Sequence, residues 1–123
     1  MNNKKFTRLR IEQIDEINWK LISSYMYIDD QHGLIIVPAG FITDFASIPQ
    51  FMWSIAGAPS EYAPSATIHD YLCRNKIFAR KECDKVFYRA MIDSGVNKVK
   101  AILFYLAVRG YSNWLSFKEK AGL

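Results

Sequence analysis

The sequence predicts an α+β fold, with an N-terminal antiparallel β-hairpin or three-stranded sheet followed by a packed set of four to five helices. Three observations carry this expectation. Segments rich in β-branched and aromatic residues crowd into the chain up to Phe41. Helical spacing of apolar residues takes over from Ile48 onward. Half of the 123 residues are apolar and 15% are aromatic, enough for one core without disulfide staples. At this length the expectation is a single domain over 1–123.

The elements follow in order. "KFTRLRIEQI" (5–14) alternates in part, and "NWKLISSYMYID" (18–29) has strand composition. "DDQHG" (29–33) is a polar turn in which Gly33 is free to take a positive φ, so 18–29 and "LIIVPAGF" (34–41) read as a hairpin. Pro38 ends or bends that second strand. Helices are expected over 48–56, from Pro64 to Asn75 with the proline in the first turn, over 80–94, over 97–109, and over "NWLSFKEKA" (113–121). Ser47 followed by Gln50 reads as a capping box for the first of these, with Pro49 in its first turn. The 97–109 segment is apolar nearly all round, which implies a central helix or one covered by a partner.

Composition narrows the function. Charged residues make up 23% and the net charge is +4, with acids and bases interleaved. Lys4, Lys5, Arg8 and Arg10 are spaced as on a solvated strand face, so nucleic-acid binding is not expected. The basic N-terminus lacks the apolar run of a secretory signal, and "AILFYLAV" (101–108) is too short to span a bilayer. The expected setting is the cytoplasm, with Cys73 and Cys83 reduced and, ten residues apart, matching no zinc framework.

The chemistry gathers in "IHDYLCRNK" (68–76) and "KECDKVFYRAM" (81–91). At helical spacing His69 shares a stripe with Ala66, Leu72 and Cys73, while Asp84 shares one with Phe87, Tyr88 and Met91. Both are therefore polar residues on apolar faces of consecutive helices, which pack antiparallel when the connection is short. Two readings follow. In one, His69 and Asp84 are a buried structural pair and Asp70 pairs with Arg74 at i,i+4. In the other, Asp84 fixes the imidazole tautomer and His69 is a general base, with Asp70 holding a cation or ordering the neighbouring loop. That loop, "AGFITDFASIP" (39–49), supplies Asp44, and an oxygen-rich set of Asp44, Asp70 and carbonyls suits calcium or magnesium. A nucleophilic Cys73 or Cys83 ranks below a water-activating dyad, because both sit on buried-looking stripes.

Taken together, Gly40 to Pro49, His69 to Cys73, and Cys83 to Met91 resemble the small phage and prophage proteins grouped as domain of unknown function 1353. The likeness covers about residues 33–110 and implies a phage or prophage origin, a role in the host cytoplasm or on the virion, and a partner that is a phage structural or host protein. Cys73 stands where that family usually has tyrosine, and Ala79 where a capping serine is common. "HDYLC" and "CDKVF" also look like the His-Asp and Cys-Asp-x-x-Phe pieces of phospholipase A2, though the cysteine framework and the glycine-rich calcium loop of that family are absent. This second likeness implies that His69 activates water, Asp84 orients His69 and Asp70 binds calcium. The expected function is a small metal-assisted hydrolase; the alternative is a non-enzymatic phage accessory protein that binds a partner.

Overall fold

In a computed structural model that describes residues 5–45 and 59–122, with side chains from Tyr62 onward in the second stretch, the fold is α+β. The first stretch forms five short strands: β1 (Ile11–Gln13), β2 (Trp19–Leu21), β3 (Tyr25–Asp29), β4 (Gly33–Val37) and β5 (Ile42–Thr43). They make both arrangements that the sequence left open. β3 and β4 pair as a hairpin in which Tyr25 faces Val37 and Asp29 faces Gly33. Gly33 turns the chain at φ +73°, a conformation a Cβ would strain. β1, β2 and β5 form a separate antiparallel three-stranded sheet in that order.

The expected 18–29 strand is thus split in two. Leu21 donates its N–H to the Phe41 carbonyl at 2.9 Å and accepts from Gly40 N at 2.7 Å. Residues 19–21 therefore pair with the chain beyond Pro38, and only 25–29 pairs with β4. Strand propensity over a 12-residue run does not say which partner takes which half.

Among the described residues there are three helices, α1 (Pro59–Arg74), α2 (Arg80–Asp93) and α3 (Lys98–Ala121), not the four to five expected. The segments 97–109 and 113–121 are one helix running through Gly110. A single interior glycine costs about 1 kcal/mol, too little to stop a helix whose ends are well capped. Asn97 accepts from Val99 N at 2.8 Å at one end, and Gly122 closes the other at φ 71°. The helix expected over 48–56, with the Ser47 and Pro49 signals, lies outside the described residues. α1 begins at Pro59, so Pro64 is inside the helix and not in its first turn. Ala79 precedes α2 as its N-cap and offers it no side-chain hydrogen bond.

The central helix is α1, not the apolar 97–109 segment. From Tyr62 to Asp70 every residue except Pro64 is buried. Ala63, Ser65, Ala66 and Thr67 are small enough to let neighbours approach closely on several sides. The two hydroxyls cost little there, because Ser65 donates to the Tyr62 carbonyl at 3.1 Å and Thr67 to the Ala63 carbonyl at 2.7 Å. One apolar cluster joins Leu21, Tyr25, Tyr27 and Val37 of the strands to Ile68, Leu72 and Val86 of α1 and α2. A second joins Ala66, Phe87 and Met91 of those helices to Ala101, Phe104 and Val108 of α3. His69 and Asp84 lie among these apolar neighbours.

Candidate functional site

Consecutive antiparallel helices place His69 of α1 against Asp84 of α2. His69 Nε2 lies 2.6 Å from Asp84 Oδ1. Both are largely buried: His69 is 3% exposed and Asp84 not at all. The second carboxylate oxygen is held from α3, where Arg109 donates at 2.8 Å and Ser112 at 2.9 Å. Burial raises the Asp84 pKa, but the hydrogen bonds from His69, Arg109 and Ser112 outweigh it and hold the carboxyl below its ordinary value.

This charge state assigns the imidazole. An ionised Asp84 only accepts, so Nε2 carries the hydrogen and, in the neutral ring, Nδ1 bears a lone pair. Among the described residues Nδ1 is buried with no hydrogen-bond partner. The ring leans on Phe87 at 4.8 Å between centroids and lines a cleft of about 270 Å³. Asp70, Arg74, Arg80 and Tyr111 reach the same cleft.

Cys73, one helical turn from His69, puts its sulfur 3.5 Å from Nε2. A hydrogen bond with Cys83 and burial push the Cys73 thiol well above its ordinary pKa, so it stays protonated rather than serving as a thiolate nucleophile. The donor atoms of His69, Cys73 and Asp84 lie within 4.8 Å of one another. Nitrogen, sulfur and oxygen donors of this kind suit zinc. Here, however, both Asp84 oxygens are already engaged by His69, Arg109 and Ser112.

Asp70 and Asp44 also converge, with Arg74 between them. Its guanidinium is 3.1 Å from Asp70 and 3.7 Å from Asp44, and it donates to the Ile42 carbonyl at 2.6 Å. Thr43 donates to Asp70 at 2.5 Å, and its hydroxyl also accepts from Phe45 N at 3.1 Å. β5 is thereby tied to α1, and Phe45 leaves the tie at φ 56°, an uncommon angle for a non-glycine residue. Burial is the main reason the Asp70 carboxyl sits above its ordinary value, only partly offset by Thr43 and Arg74.

Arg109 and Ser112 are the site residues that reading the sequence missed. Their spacing of three puts both on one face of α3. The signal was an arginine placed directly after the apolar run 101–108, hidden when Gly110 was taken as the helix end.

Fold and site together define an α+β protein in which three helices meet on one buried aspartate beside a small polar cleft. The chain belongs to the family described as protein of unknown function DUF1353, whose model matches residues 19–108. It is 42% identical over 93 residues to an uncharacterized protein of Sinorhizobium fredii (strain NBRC 101917 / NGR234), y4jT; the match covers 73% of this chain and 28% of that protein. A second uncharacterized protein of the same strain, y4iH, is 41% identical over 71 residues, covering 56% of this chain and 30% of its own. The chain thus matches less than a third of the length of these relatives. No solved structure matches it.

Proposed function

We propose that the protein is a small hydrolase in which His69 is the general base and Asp84 its positioning partner. The observation that supports this most is the unfinished hydrogen bonding of His69 beside a cleft. One ring nitrogen is held at 2.6 Å by a carboxylate, while the other is buried without a partner among the described residues. Leaving such an atom unsatisfied costs about 1–3 kcal/mol, which a purely structural histidine has no reason to bear. In the reaction a water admitted from the cleft gives a proton to Nδ1, the hydroxide adds to an acyl or phosphoryl centre in the cleft, and the proton passes on to the leaving group. Asp84 keeps Nε2 protonated and stabilises the imidazolium formed in between. A calcium or magnesium ion between Asp70 and Asp44 is the metal-assisted form of this reading. Their oxygens and that of Thr43 suit a hard cation, provided that Arg74 swings aside.

One observation favours a second reading. Asp84 ties α1 and α3 to α2 through three donors, which is what an architectural cross-brace needs. The protein is then a phage accessory module that acts by binding a phage structural or host protein, and the polar cluster sets its shape.

His69→Gln separates the two. As a general base, His69 contributes roughly 10²–10⁴-fold to rate. The variant should fold with nearly unchanged stability, because it also removes the orphaned nitrogen, and should lose that factor on whichever ester, lipid or peptide the wild type cleaves. A wild type inert across such a panel, with His69→Gln as unstable as an Asp84 variant, would leave only the brace.

A further inference from the structure

We propose that α3 lies flat on an anionic lipid surface, with its outward stripe in the headgroup boundary. Its inner face is set by Ala101, Phe104, Val108 and Ser112, all buried. At about 100° per residue the opposite face carries Val99, Leu103, Leu106, Gly110, Trp114 and Phe117 along roughly 27 Å. These side chains are open to solvent: Leu106 is 58% exposed, Trp114 53% and Phe117 63%. A soluble domain seldom leaves a continuous stripe of this length uncovered.

Charge identifies the covering surface. α3 has five basic residues and one acid, a net +4 that equals the charge of the whole chain. Lysines flank the stripe on both sides, Lys100 and Lys118 on one and Lys98 and Lys120 on the other, at roughly 60–110° from its centre, whereas Glu119 falls near the opposite face and Arg109 is held by Asp84. Long cationic side chains at the edges of an apolar face reach headgroup phosphates while their stems stay in the apolar boundary. Lys118 already lies over the Trp114 ring at 5.3 Å, joining a cation to the side chain that prefers the membrane interface. A second copy of the chain fits less well, since lysines at both ends of α3 would oppose lysines in either orientation. Nucleic acid would use the cations but leave the aliphatic stripe in water. No helix among the described residues is long and apolar enough to cross a membrane, so the contact is peripheral.

Flotation of the full chain with vesicles tests this directly. Vesicles of phosphatidylglycerol mixed with phosphatidylcholine should carry the protein up the gradient, and pure phosphatidylcholine vesicles should not. Phe117→Ser should lower the anionic partition about tenfold or more, as loss of one buried aromatic side chain implies. Lys118→Gln should lower it about fivefold, and raised salt should act in the same direction. Both positions are exposed, and circular dichroism checks that each variant stays folded. Equal binding to both vesicle types, or binding that Phe117→Ser leaves intact, overturns the proposal. So does failure to bind, whether the chain sediments as a monomer or as a dimer that Leu106→Asp dissociates.

Discussion

Asp29 on β3 and Asp84 on α2 are both fully buried carboxylates, and both face an arginine. Their surroundings differ in one respect that matters. Asp29 takes a two-pronged bond from Arg89, at 2.8 and 3.1 Å, and backbone donors from Gln31 and His32 at 3.2 and 3.0 Å. Tyr27 adds a long hydroxyl bond at 3.4 Å while giving its better one, 2.7 Å, to Asp93. Among the described residues no partner of Asp29 has a buried side-chain atom left without a bond. Asp84 instead shares its charge with a histidine whose other nitrogen has no partner among the described residues. Burial and an ion pair therefore do not by themselves mark a site. An incomplete hydrogen-bond set beside a cleft is the better sign.

The largest expected effect tests the brace. Asp29→Ala takes from Arg89 of α2 its two-pronged partner, leaving only the more distant Glu82 at 3.7 Å, and should cost about 3–5 kcal/mol, read from urea unfolding. A loss under about 1 kcal/mol would mean that Arg89 simply turns to solvent, and the contrast with Asp84 would then fail. Asp84→Asn keeps one accepting oxygen for Arg109 or Ser112, so the cost should be smaller, about 1.5–3 kcal/mol. In the same variant any activity should fall as well, because an amide no longer holds the imidazole in the Nε2–H tautomer. Retained activity would show that Asp84 is a brace like Asp29.

Acid sharpens the comparison. Burial pushes the Asp29 carboxyl up, but the Arg89 bonds and the His32 and Gln31 N–H groups outweigh it, so it sits below its ordinary value, as Asp84 does. For such groups the unfolded chain binds protons first. Their contribution is complete above the unfolded value near pH 4 and is lost as the pH falls through the lower folded value. Asp70 has the opposite sign: its raised value gives stability that is present in acid and lost as the pH rises through it. Stability should thus fall steeply below about pH 4, and this slope should flatten in Asp29→Ala and in Asp84→Asn. An unchanged slope in both variants would mean that these carboxylates are not what acid titrates.

The smallest effect concerns the hard cation. Calcium or magnesium at Asp44 and Asp70 must compete with Arg74, so stabilisation should be slight, about 0.4 kcal/mol when the free ion equals its dissociation constant. Arg74→Gln should enlarge the shift in thermal midpoint. An unchanged midpoint in both proteins leaves Arg74, and no metal ion, as the cation shared by the two acids.

By itself the sequence determined the α+β class, the hairpin turn at Gly33, the third expected helix and the C-terminal end of the second to within a residue, and the placing of His69 and Asp84 on inward faces. These follow from local rules, periodicity and turn chemistry, which act within a few residues. Tertiary structure alone decided the rest. It joined the two C-terminal segments through Gly110, because capping at Asn97 and Gly122 and burial of Val108 and Ser112 outweigh the preference of one glycine. It sent residues 19–21 to β5 instead of β4. It put small-residue α1 at the centre and left the more apolar α3 half outside, since burial follows which surfaces can approach closely and not which segment is most hydrophobic. It brought Arg109 and Ser112 to Asp84 across 25 and 28 residues of chain, a separation over which no local pattern carries information.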